Sequence, residues 1–234
     1  MKQLGPRSTR RHGRGVAPKP THESTPDMIV RVARKFESLP STGTIVDCTN
    51  NSGRWKDLSP FILPGGPLYA GHVAKNMENA WQFAKVYAIH ADSDGNPTCD
   101  YWAWATAGWG DARAHRYPMG KGAKPLYSLW NGNHLGYLEA RRRIYAPLYA
   151  RAVVKTEAFA ALQKAVDEGT GTLYLRDYDG YDHTALGMSF ADVFDEPRKK
   201  MGHAFVLAML LTRWEDERFS ATHWLSYASA ENHG

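Results

Sequence analysis

The sequence has little cysteine, no long hydrophobic run and none of the common short catalytic signatures. Cys48 and Cys99 are the only two cysteines in 234 residues, and they form no metal-ligand pair. That excludes a disulfide framework and a zinc ribbon, and it predicts reduced thiols in a cytoplasmic protein. The longest apolar stretch, residues 204–211, falls far short of the roughly 18 residues of a membrane span, so no membrane partner is expected. No apolar segment follows the basic N-terminus, so no secretory signal is expected. G-x-S-x-G, H-E-x-x-H, C-x-x-C and G-x-G-x-x-G are all missing. The serine-hydrolase, zinc-protease, thiol-redox and dinucleotide-fold templates therefore have no foothold.

What is present suits a single globular core: 43% hydrophobic and 12% aromatic residues. The net charge of +5 is unevenly placed. Lys2, Arg7, Arg10, Arg11, Arg14 and Lys19 stand against Glu23 within the first 24 residues, and the remainder balances to zero. Residues 1–24, rich in Gly, Pro, Arg and Ser, read as a disordered basic tail that holds phosphates without specifying sequence. Residues 25–234 read as the globular domain. Nucleic acid is a partner through the tail, and the oligomeric state is left open.

Periodicity predicts a mostly α domain with a few short strands, an α+β arrangement. Thr25-Pro26-Asp27 is a helix start, with Ile29, Val32, Ala33 and Phe36 repeating at helical spacing. The segment TIVDCT (44–49) reads as a buried strand, and residues 50–71 as turns. A helix after Asn76 is predicted to run to about His90. Others are predicted over 101–114, 135–145, from Thr156 as cap, and 198–218. The segment TLYLRDY (172–178) alternates like a strand.

The helix after Asn76 poses the central question. Glu78, Gln82 and Lys85 fall at i, i+4 and i+7, one stripe on a helix otherwise occupied by Met77, Ala80, Trp81, Phe83, Ala84 and Val86. A charged stripe on an apolar, buried helix is costly unless each member is paired. Internal pairing of Glu78 with Gln82 or Lys85 is one answer. A ligand site is the other.

The order of motifs supports the second. The E-x-x-x-Q-x-x-K pattern of ENAWQFAK resembles the signature helix of the NADAR family. LSPF (58–61) is similar to that family's LSNF element. KPLYSLW (124–130) resembles a stretch with a basic residue and a Trp, and KMGHAFVLAML (200–210) resembles the start of a late helix. Two positions depart: Asn79 stands where the family usually has His, and RDYDGYDH (176–183) replaces a Trp-Gly loop.

The resemblance implies a single NADAR-like domain and an N-glycosidase acting on ADP-ribose derivatives or ribosylated bases. It calls for no cofactor and no metal. Cleaving a C1′–N bond builds positive charge on ribose, so carboxylates are required. Glu78 is the first catalytic candidate, because burial beside Trp81 would raise its pKa. Asp179 and Asp182 are the others, with an Asx turn as the alternative reading of DYDGYD. Substrate-binding candidates are Arg54 and Trp55 (phosphate grip and base stacking), Ser59, Phe61, Asn76, Trp81, Gln82, Lys85 and Tyr181. The loop RYPMGKGAKP adds Arg116, Lys121 and Lys124 around Gly120 and Gly122, an anion cradle that lacks the P-loop ending. A cation held by Asp177, Asp179, Asp182 and His183 ranks lower. Two rival readings are a non-catalytic nucleotide or nucleic-acid binder on the same scaffold, and a base-modification accessory receiving a flipped base among Trp81, Trp102, Trp109 and Tyr181.

Overall fold

The computed structural model describes residues 27–49 and 53–214. The predicted basic tail and the residues beyond Trp214 lie outside this range. The chain order is β1 (Ile29–Arg34), β2 (Thr44–Asp47), β3 (Gly66–Pro67), β4 (Val73–Ala74), α1 (Met77–Gln82), β5 (Lys85–Val86) and α2 (Cys99–Gly110). β6 (Tyr127–Trp130), β7 (Asn133–Leu135), α3 (Tyr137–Ala140), α4 (Ala146–Val153) and α5 (Glu157–Glu168) follow. β8 (Thr172–Asp177), α6 (Phe190–Asp195) and α7 (His203–Leu211) complete it. Helix exceeds strand, 38% to 17%, in one mixed α+β domain, which is the predicted class.

Two three-stranded sheets frame the core. β8 runs parallel between β1 and β2, and β6 pairs antiparallel with β5 and β7. Every residue of α7 is buried, so it is the central helix, packed against α4, β1 and β8. A helix apolar all round belongs there and nowhere else.

The first predicted helix is instead strand β1. Its β-branched run Ile-Val-Arg-Val suits a pleated surface. Val30 and Val32 are buried at period two, whereas Ile29 and Phe36, expected on the core face, are exposed. The helix predicted over 77–90 stops at Gln82. The Phe83 carbonyl accepts from the Tyr101 hydroxyl (3.2 Å), the Ala84 carbonyl accepts from the Leu129 backbone (2.7 Å), and Lys85 and Val86 pair with β6. Tertiary partners here took the carbonyls that a longer helix would have used. The last predicted helix begins only at His203, because Gly202 is its cap and the preceding segment, opened by Pro197, is a strap.

Between α3 and α4 lies a π-helical turn, Arg141–Tyr145. Thr156 caps α5 as expected, its hydroxyl accepting from the Phe159 backbone at 3.1 Å.

Candidate active site

α1 opens with its donors fully used. The Met77 amide donates to the Leu63 carbonyl (2.9 Å), Glu78 to Pro60 (3.0 Å), and Asn79 to the Asn76 side chain (2.8 Å). These bonds dock the Leu58–Phe61 turn on the helix start, and the Tyr149 hydroxyl holds it from behind through the Leu58 carbonyl (2.8 Å). Ser59, Pro60 and Phe61 thereby become one wall of a cavity of about 580 Å³. Glu78, Trp81, Gln82 and Lys85 form a second wall.

The stripe is real, although Lys85 sits on a strand. Gln82 Nε2 donates to Glu78 Oε1 at 2.8 Å, and Lys85 Nζ donates to Gln82 Oε1 at 2.6 Å. Lys85 also lies over the Trp81 ring at 4.7 Å. Burial raises the Glu78 pKa; the Gln82 bond and the charges of Lys85, Arg116 and His203 only partly offset it. Burial lowers the Lys85 pKa to about 8 despite Glu78 nearby. The three side chains form a hydrogen-bonded relay whose ends both resist charge.

The floor comes from β8 and α7. His203 Nδ1 lies 3.1 Å from Asp177 Oδ2, and Nε2 lies 2.9 Å from the Cys48 carbonyl oxygen. Asp177 also accepts from the Ala204 amide (3.1 Å) and the Asp179 amide (3.2 Å), so its carboxylate is committed to structure at the start of α7. Gly202 is required: a Cβ there would stand 2.1 Å from Asp177 Oδ2.

Tyr137, Arg141 and Tyr145, spaced by four, all face the cavity. In a regular α-helix such a row drifts around the axis, and the wider π turn keeps it in line. Arg141 is clamped by the carbonyls of Val193, Phe194, Glu196 and Lys199 and by the Tyr137 hydroxyl. It fixes the strap to the wall. The Tyr145 phenol is pushed well up by burial, then by the charges of Asp177, Glu78 and Asp179.

The mouth is cationic and aromatic. Asp179 Oδ2 lies 3.7 Å from Arg116, and Oδ1 lies 3.9 Å from Lys200. Pairs this long and this exposed hold weakly, leaving both cations available to an anion. Gly120 and Gly122, at φ +91 and +92, bring bare backbone to the rim. Asn79 is an anchor. Its Nδ2 donates to the carbonyls of Asp111 (3.0 Å) and Arg113 (2.9 Å), and its Oδ1 accepts from the His115 amide (2.8 Å). This positions Arg116.

Of the residues expected from sequence, Glu78, Asp179, Ser59, Phe61, Trp81, Gln82, Lys85 and Arg116 line the cavity. Asp182 does not: it pairs with Arg31 (3.2 Å) and accepts from Thr184. Arg54 stacks on Trp55 at 4.5 Å, outside the lining. Asn76 serves as helix cap. Lys121 and Lys124 are exposed on the rim loop beside the lining glycines. Tyr181 packs on Phe205. The proposed aromatic base receptacle is not assembled either: Trp102 stacks on His72, and Trp109 is buried against Tyr69 and His72. Among the described residues no three His, Cys, Asp or Glu side chains gather to hold a metal, and no helix is long and apolar enough to cross a membrane. Sequence reasoning missed His203, Arg141, Tyr145 and Lys200, and weighed Asp177 only as a cation ligand. The spacing Tyr-x-x-x-Arg-x-x-x-Tyr was a usable signal for the π row.

The chain matches no family model, no curated protein and no solved structure. The site's chemistry is therefore argued from its own geometry.

Proposed function

We propose that the protein is an N-glycosidase-like hydrolase that releases a base from a ribosylated or ADP-ribosylated substrate, in keeping with the NADAR-like motif order. The observation carrying this reading is Glu78. It is 6% exposed, has a raised pKa, and opens into a cavity also lined by Asp179. Burial pushes the Glu78 pKa upward, the direction that suits a carboxyl to protonate the departing base nitrogen. Asp179 supplies negative charge where the sugar becomes cationic, and its neighbours Arg116 and Lys200 suit the phosphates. Trp81 and Tyr145, in edge contact at 5.2 Å, offer an apolar wall for a base or ribose.

The test is base release, followed by chromatography, from NAD and from an ADP-ribosylated oligodeoxynucleotide. Glu78→Gln is expected to lower the rate by about 10²–10⁴-fold, the usual contribution of a general acid. Unchanged release in that variant defeats the reading.

One observation favours the rival class. Glu78 Oε1 is already engaged by Gln82, as in a purely structural pair. Tight substrate binding without release, in wild type and Glu78→Gln alike, identifies a nucleotide-binding protein without turnover.

A further inference from the structure

Phe36 is 81% exposed in the turn after β1, and packing does not explain it. Its ring meets Tyr178 edge-on at 6.0 Å. The Arg116 guanidinium lies 5.1 Å from the Tyr178 ring and 5.5 Å from that of Tyr117. Tyr178 and Tyr117, 46% and 44% exposed, line the cavity mouth, whereas Phe36 lies beyond it. A continuous row of accessible rings interleaved with a cation thus leads across the surface into the candidate active site.

We propose that this row is a track for single-stranded nucleic acid, which delivers one unpaired base into the cavity. The chemistry on the rim favours this occupant. Aromatic faces stack any base, and cations beside them follow the phosphates. The mouth carries Arg116 and Lys200 in its lining, both weakly paired to Asp179, and Lys121 and Lys124 on the exposed rim loop. A free nucleotide fits within the cavity and needs nothing at Phe36. A duplex keeps its base faces internal and cannot stack on the row. Only the fate of the delivered base inside the cavity rests on the hydrolase reading; binding along the rim stands apart from it.

The experiment measures fluorescence anisotropy of the full-length protein with an unmodified twelve-nucleotide oligothymidine and with a duplex of equal length. Nicotinamide release from NAD is assayed in parallel. Wild type is expected to prefer the single strand. Phe36→Ala is expected to weaken that binding about tenfold, the effect of losing one stacked base. Phe36→Trp restores it, and nicotinamide release from NAD is unchanged in both. Such a pattern does not arise from a merely electrostatic tail, because the charge is constant throughout. Equal affinity in Phe36→Ala, equal binding of the duplex, or no binding of the oligonucleotide overturns the proposal. A Phe36-dependent affinity without base release from any substrate leaves the track standing and defeats the hydrolase reading alone.

Discussion

Glu78 and Lys85 are both held in environments that penalise their charged forms, and this links chemistry to stability. The Glu78 carboxyl keeps its proton to higher pH when folded than the ordinary 4.5. Between 4.5 and that raised value the native chain holds a proton that the unfolded chain has released, so stability falls as pH rises through that window. Lys85 acts in a higher window. From about 8 to 10.5 the unfolded chain holds a proton that the native chain has lost, so stability rises with pH there. Burial penalises the charged form of each group. Glu78→Gln, which keeps the shape and removes the charge, is therefore expected to raise the melting temperature by about 2–4 °C while turnover collapses. Differential scanning calorimetry checks the first and the release assay the second. Under the proposed hydrolase function, the pH dependence of turnover is expected to stem from the same groups. KM for an anionic substrate is expected to climb above about pH 8 as Lys85 loses its charge. Lys85→Arg, which does not titrate in that range, should flatten the climb. A steady-state pH series of both proteins decides this.

At the scale of elements, the site depends on how strands and helices end. Asp177 closes β8, Gly202 caps α7, and the carboxylate of the first packs directly on the backbone of the second. Gly202→Ala is expected to lose roughly 2 kcal/mol or more, the cost of overpacking a buried contact, read as a lowered urea midpoint with an unchanged slope. Several elements were legible from sequence alone: strand β2, the Thr156 cap, the β8 alternation, and the rim loop with its glycines. β1 was not. Val30 and Val32 against Val32 and Phe36 satisfy period two and period 3.6 equally well, and only the pairing with β8 decides. The end of α1 was not legible either, because the carbonyls just beyond it go to Tyr101 and Leu129, partners distant in sequence. Glu78 and Gln82 were placed correctly as neighbours on a helix. Lys85 reaches the same relay from strand β5, so the expected contact survives although the expected element does not.

At the scale of the molecule, charge is divided between a balanced remainder and six basic residues in the first 24. Removing residues 1–24 is expected to weaken oligonucleotide binding and to flatten its salt dependence. The logarithmic slope should fall by about 0.7 for each single-strand phosphate that the tail neutralises. Nicotinamide release from NAD should be unaffected. Titrations across a salt series with both proteins measure it. By itself the sequence determined the α+β class, the apolar central helix and the unusual acid at Glu78, because composition and short-range periodicity fix which residues seek burial. The tertiary structure alone decided that Asp177 and His203 form the floor, that Asp182 faces away, and that a π turn aligns Tyr137, Arg141 and Tyr145. Those depend on contacts between segments far apart in the chain, whose geometry no local pattern encodes.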